Sequence, residues 1–373
     1  MRPFAAAVAV LLALVLAVNA LAAVEARRRE RRMEEAVAAL RPGLALVFDG
    51  YVRERRFQEL RLHVIPRPRV VALGSSRVRE VSSEIAGVSP GEFYNLAMSA
   101  AAVEDDIALW SVLEGQGKVP ELAIFSIDAW IFSAAHEQVR WLTLAPEVAR
   151  FLEAAGAERG RLRQPARQAV HLWLEARELL SFEVFRRSLA DLGRALPART
   201  SKSRDLEAAL GRDLVSEELV GDRHAIRSDG SLMRPATVDE PSTARLRQQA
   251  SSYVAGGAYG LAGFRWDPLR AERLELLWRA MRTAGVRIVA YMPPYQPTAW
   301  ALIEENPGYA DALRSSAGFL RDLAGRVGAR FLDLSDPASV PCGEEEFRDP
   351  DHAAPSCLRR IWQRLLPPAP ARP

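Results

Sequence analysis

Residues 70–81 read VVALGSSRVREV: a short apolar run, a glycine, two serines, then apolar residues at helical spacing. Val70 to Leu73 has the length of a buried strand, and Val78, Val81 and Ile85 continue along one face of a helix. A strand ending in Gly74-Ser75-Ser76 has two readings. In one, the glycine turns the chain and a serine caps the next helix. In the other, a serine stands at the end of a parallel strand, where open α/β sheets place their ligand sites. The stretch alone leaves both open.

Outward from it, strand and helix signals alternate. Glu92 to Asn95 reads as a second short strand, Leu122 to Ile127 as a third, Val286 to Met292 as a fourth and Ala329 to Leu334 as a fifth. Helical patterns lie between them, among them Asp105 to Leu113, RAERLELLWRAMRTAG and LRDLAGRVG. Short apolar strands separated by helices predict a parallel sheet covered on both faces, with right-handed crossovers. Between the third and fourth strands, Leu142 to Trp266 is an interruption, helical in its first half and turn-rich in its second. Gly256, Gly257, Gly260 and Gly263 do not form GxGxxG and follow no clear strand, so no dinucleotide site is expected.

The chain has 373 residues, 49% apolar and 26% charged, with a net charge of +3. Lys118 and Lys202 are its only lysines, and the arginines interleave with acids, as in EARRRERRMEEA. So small an excess, without aromatic residues among the basic ones, argues against a nucleic-acid partner. Phe4 to Val24 is apolar except for Asn19. It approaches the roughly 20 residues that cross a bilayer. Residues 1–24 are therefore expected to form a transmembrane signal anchor, with Ala20-Leu21-Ala22 leaving a cleaved signal peptide open. Arg27, Arg28, Arg29, Arg31 and Arg32 favour a cytoplasmic body. An amino-terminal anchor and a cysteine pair favour export. The expectation is a single-pass protein of the cell membrane, with its body on the extracytoplasmic, periplasmic side. Residues 25–67 read as a helical stalk broken at Arg41-Pro42-Gly43.

Of five histidines, His352 stands apart because it follows the last strand, three residues beyond Asp349. A carboxylate so placed can accept the Nδ1–H, hold the tautomer and stabilise the imidazolium. Cys342 and Cys357 bracket this pair and are expected to form a disulfide; two buried thiols are the alternative. No His/Asp/Cys cluster has metal-ligand spacing, and no cofactor is expected.

Gly74-Ser75-Ser76 resembles the first block of the SGNH/GDSL hydrolase superfamily, and Asp349-Pro350-Asp351-His352 resembles its last, Asp-x-x-His. FYNLAMSAAAVEDD is similar to the second block and PELAIFSIDAWIF to the third, in the family's order. The layout is closest to the family's membrane-anchored members, such as D-alanine transfer proteins and exopolysaccharide acetyltransferase-like proteins. The resemblance implies an α/β/α three-layer sandwich with a flavodoxin-like parallel sheet. Residues 68–141 and 267–373 would form it, around a mostly helical insertion at 142–266.

It also implies a serine acyl-transfer site. Ser76 would be the nucleophile, His352 the base and Asp349 its orienting acid. The backbone N–H groups of Ser76 and Ala100 would face the oxyanion, with Asn95 beside them. The sequence departs from the family at two places: Ala100 stands where a glycine is usual, and Asp128 where an asparagine donor is usual. Asp128 has three open readings: a protonated acid, a contact to another part of the substrate, or a cap for the turn at Trp130. Arg77 and Arg140 would meet an anionic substrate or simply face solvent, and Tyr295 and Gln296 in YMPPYQP are candidate substrate contacts. The function implied is an ester hydrolase or O-acyltransferase. Its substrate would be an acylated cell-envelope glycan or lipid, with a membrane acyl-transfer or polysaccharide-export protein as partner. The alternative is a non-catalytic scaffold of envelope polysaccharide assembly.

Overall fold

The computed structural model describes residues 13–18, 20–21, 24, 31–48, 54–136, 138–157, 214–235 and 242–366. The chain divides into two compact units, Met1–Ala39 with Ala157–Leu214 and Leu40–Gly156 with Val215–Pro373. In the first, residues 13–18 and 31–39 are helical. Among the described residues no helix is long and apolar enough to cross a membrane. This corrects the expected transmembrane anchor, and with it the membrane partner and the single-pass membrane location. A crossing helix needs about 20 consecutive apolar residues. The longest helical run described within 4–24 is residues 13–18, and much of that span lies outside the described residues.

The second unit begins with a strand, β1 (Leu44–Phe48), entered through the turn at Pro42-Gly43. A helical stalk was expected there. LALVF is instead a strand sequence, and helix returns only at α1 (Glu54–Val64). Then come β2 (Val70–Gly74), α2 (Ser83–Ala86), β3 (Phe93–Asn95), α3 (Val103–Gly115), β4 (Leu122–Ser126) and α4 (Ala145–Ala154). The expected insertion supplies β5 (Leu214–Ser216), β6 (His224–Arg227), β7 (Leu232–Met233) and α5 (Thr243–Ala255). Its stretch 158–213, read as helical, lies outside the described residues. After it follow α6 (Pro268–Thr283), β8 (Arg287–Met292), α7 (Pro297–Glu304), α8 (Pro307–Val327), β9 (Arg330–Asp333) and α9 (Pro355–Leu365).

The main sheet is parallel, in the order β3-β2-β4-β8-β9. Counted along the chain, that order is 2-1-3-4-5, a doubly wound sheet whose switch point falls between β2 and β4. Every residue of β2 and β4 is buried, as a sheet covered on both faces requires. Alternate residues serve opposite faces. Val70, Ala72, Leu122, Ile124 and Tyr291 join the core that α9 covers with Leu358, Ile361, Trp362 and Leu365, an i, i+3, i+4, i+7 stripe. Trp362 sets its edge against Phe93 with ring centroids 5.6 Å apart. On the other face Phe125 meets Trp278 of α6, also at 5.6 Å. Truncating either buried tryptophan to alanine would cost about 3–5 kcal/mol.

A second sheet, in the order β5-β1-β6-β7, pairs β1 antiparallel with β6. A disulfide joins Cys342 to Cys357 and ties the loop after β9 to α9.

Candidate active site

The turn after β2 is shaped by its glycine. Gly74 has φ +134°, and a Cβ there would lie 2.3 Å from the carbonyl oxygen of Ser126 on β4. Only glycine allows both that dihedral and that approach. Ser75 then takes the N-cap of the short turn Ser76–Val78, its Oγ accepting the Arg77 N–H at 3.3 Å. The cap serine is thus Ser75. Ser76, one position on, points its hydroxyl at His352, with Oγ 2.8 Å from Nε2.

His352 is held by its own loop. The Asp349 carboxylate accepts the backbone N–H groups of Asp351 at 3.1 Å and His352 at 2.9 Å. The same carboxylate lies 2.8 Å from the imidazole Nδ1. The loop is anchored to the sheet's carboxyl edge through the Gln296 N–H, which donates to the Pro350 carbonyl at 2.9 Å. A second carboxylate, Asp351, also reaches Nδ1, at 3.0 Å. Burial pushes the basicity of His352 down, and the hydrogen bonds to Asp349 and Asp351 outweigh it, raising the pKa to about 10. Asp351 moves the other way. Burial pushes its carboxyl up, but the hydrogen bond and charge of His352, with the charge of Arg77, hold it below the usual range.

Arg77 is buried and does not face solvent. Its Nη1 donates to Asp128 Oδ1 at 2.9 Å, its Nε to the Asp351 carbonyl at 2.7 Å, and its Nη2 to the carbonyls of Pro293 and Pro294. Its guanidinium lies over the Tyr295 ring, 4.4 Å from the centroid. Tyr295 is therefore a platform under Arg77. Gln296 caps α7, its Oε1 accepting the Ala299 N–H at 2.8 Å. Asp128 makes no side-chain cap bond to the turn Ala129–Phe132; its partner is Arg77. Its other oxygen, Oδ2, is buried without a hydrogen-bond partner among the described residues.

Asn95 is a brace. Its Nδ2 donates to the carbonyls of Val78 and Val81, both at 2.8 Å, and its Oδ1 accepts the Ala97 N–H at 2.9 Å. These bonds fix the turn that carries Ser76 and leave Asn95 fully buried, a position for support and not for meeting substrate. Ala100 has φ +49°, the left-handed region that favours glycine. Its carbonyl accepts from Gln138 Nε2 at 2.6 Å and from Arg55, whose guanidinium pairs with buried Asp105 at 2.7 Å. Met98 donates its N–H to the Gly74 carbonyl at 3.1 Å, which ties this segment to the end of β2.

The structure thus brings Ser76, His352 and Asp349 together at the carboxyl ends of the strands beside the switch point. It gives Arg77, Asp128, Tyr295 and Asn95 internal partners. Sequence reasoning missed Asp351 and Tyr253, whose hydroxyl donates to Asp351 Oδ2 at 3.3 Å. The adjacency of Asp351 to His352 was the available signal. For Tyr253, inside the insertion, there was none. Asp349, Asp351 and His352 also offer ligand atoms within 4.8 Å of one another, a grouping their spacing did not suggest. Both carboxylates also lie at hydrogen-bonding distance from Nδ1.

No protein-family model matches the chain, and no curated protein matches it.

Proposed function

We propose that this protein is a serine-dependent ester hydrolase or O-acyltransferase. The observation that carries the proposal is the continuous hydrogen-bonded line from Ser76 Oγ through the His352 imidazole to Asp349. Nucleophile and base stand within hydrogen-bond reach, and the base is oriented by a third group. Ser76 Oγ attacks the carbonyl carbon of an ester while its proton passes to His352 Nε2. Collapse of the tetrahedral intermediate breaks the bond to the leaving oxygen, which takes that proton and departs as the alcohol. The acyl group then rests on Ser76 until water or an acceptor hydroxyl, deprotonated by His352, removes it. Asp349 holds the imidazole in the tautomer this requires. The N–H groups of Ser76 and Ala100 are the oxyanion donors in this reading.

The acyl carrier in this reading is a glycan or a lipid. The rival, a non-catalytic binding scaffold, is favoured by Asp128: a carboxylate occupies the place of an amide donor and is bound to Arg77. One experiment separates them. The full chain is treated with a fluorophosphonate and assayed on p-nitrophenyl acetate, with and without a chelator. Stoichiometric labelling at Ser76, and turnover that survives the chelator and is lost in Ser76→Ala, is the expected result. Unlabelled, folded protein without turnover would replace this reading with the scaffold.

A further inference from the structure

His352 faces two carboxylates on its Nδ1 side. Asp349 lies at 2.8 and 2.9 Å through its two oxygens, and Asp351 at 3.0 Å through one. An imidazole carries a single proton on that nitrogen, so the two acids compete for it or share it. Asp351 is not a loose neighbour. Its N–H donates to Asp349 Oδ1 at 3.1 Å, its carbonyl accepts from Arg77 Nε at 2.7 Å, and its second carboxylate oxygen accepts from Tyr253 at 3.3 Å. Three separate elements therefore hold this residue: its own loop and the turn after β2 through its backbone, and α5 through its carboxylate. Its side chain is also the more enclosed of the two, 17% exposed against 33% for Asp349.

We propose that Asp351 is a second positioning residue for the base, sharing the Nδ1 proton of His352 with Asp349 and setting the pH range in which Ser76 reacts. This inference rests on the acyl-transfer reading for its kinetic consequence and stands independently of it for the histidine's titration.

The groups that face His352 define the balance. Ser76 lies on the Nε2 side; Asp349 and Asp351 lie on the Nδ1 side. Behind Asp351 stand Tyr253 from α5 and the Arg77 guanidinium, and behind Arg77 stand Asp128 after β4 and Tyr295 after β8. Arg77 and Asp128 offset each other, which leaves two negative carboxylates for one imidazole. That excess favours the imidazolium formed as Ser76 gives up its proton. It also keeps the resting histidine protonated to higher pH, so the reactive form accumulates only under alkaline conditions. A single carboxylate would give a base that works at lower pH but holds its positive charge less firmly.

The test is a titration of the full chain with 15N-labelled histidine, following the His352 ring nitrogens by NMR, alongside the pH profile of kcat/KM on p-nitrophenyl acetate. In Asp351→Asn the histidine's titration and the rising limb of the profile are both expected to move down by about one unit or more, the shift an opposite charge at this range produces. If Asp351→Asn does not fold, Asp351→Ser, which removes the charge with less bulk, takes its place. A His352 titration unchanged in the folded variant would overturn the proposal. Loss of turnover without a shift, meaning Asp351 only supports the loop, would overturn it too. Should Ser76→Ala retain full activity, the enzymatic reading fails, and the NMR titration still decides the role of Asp351.

Discussion

Arg77 and Asp128 form a buried ion pair across the switch point, with Nη1 2.9 Å from Oδ1 and both side chains enclosed. The pair links the turn after β2 to the turn after β4, and Arg77 extends the link to the His352 loop through the Asp351 carbonyl. A buried charge that loses its partner is far costlier than the pair is valuable. Asp128→Ala is therefore expected to lose about 3–5 kcal/mol in urea unfolding, because the guanidinium keeps its carbonyl acceptors but stays buried without a counter-charge. Arg77→Met combined with Asp128→Leu should recover part of that loss. A single variant as stable as the parent would mean the pair is not buried in solution.

The two serines are expected to separate stability from chemistry. Ser75→Ala removes the cap on the Arg77 N–H and should cost about 1 kcal/mol. Ser76→Ala should leave the unfolding midpoint nearly unchanged, within about 0.5 kcal/mol, while abolishing turnover. Unfolding curves and esterase assays on the same preparations check both.

The histidine also carries a stability prediction. Its folded-state pKa is raised to about 10. The unfolded value is about 6.5. The folded chain thus binds the proton more tightly, so its contribution is complete below the unfolded pKa and is lost as pH rises through the folded one. The melting temperature should fall between neutral pH and pH 10 by more in the parent than in His352→Gln. Parallel curves would mean that His352 titrates normally.

Ala100 offers a gain. At φ +49° a side chain costs about 1–2 kcal/mol. Glycine would remove that strain and add some unfolded-state entropy. Ala100→Gly is expected to raise stability by up to about 1 kcal/mol and to leave turnover intact, since the backbone N–H is kept. Thermal unfolding with an activity assay measures it.

The parallel strands were legible because a doubly covered sheet writes itself as short apolar runs; β2, β4 and β8 need no partner information to be seen. The antiparallel sheet was not legible in the same way. β1 and β6 pair Ala45 with Arg227, a separation that no local pattern encodes, and their burial is only partial. The Asp229-Gly230 turn between β6 and β7, with Gly230 at φ +82°, was a hairpin signal read only as turn-rich chain. At the site, Ser76, Asp349 and His352 were singled out by their resemblance to a family's first and last blocks, and the structure brings them within hydrogen-bonding distance of one another. The roles of Arg77 and Asn95 were not visible, since a buried arginine and a solvated one are spelled alike. The apolar amino-terminal run shows the reverse limit: hydropathy reports what a segment tolerates, and no described helix realises it as a membrane span.

Ser76 and His352 are 276 positions apart in the chain. Ribosomes build proteins from the amino end at about 5–20 residues per second. The hydroxyl is therefore made many seconds before the imidazole that would activate it, and the sheet between them must close first. Until then, in the acyl-transfer reading proposed above, an emerging chain carries a serine without its base. Covalent capture of Ser76 would then timestamp the completed fold, read molecule by molecule during synthesis.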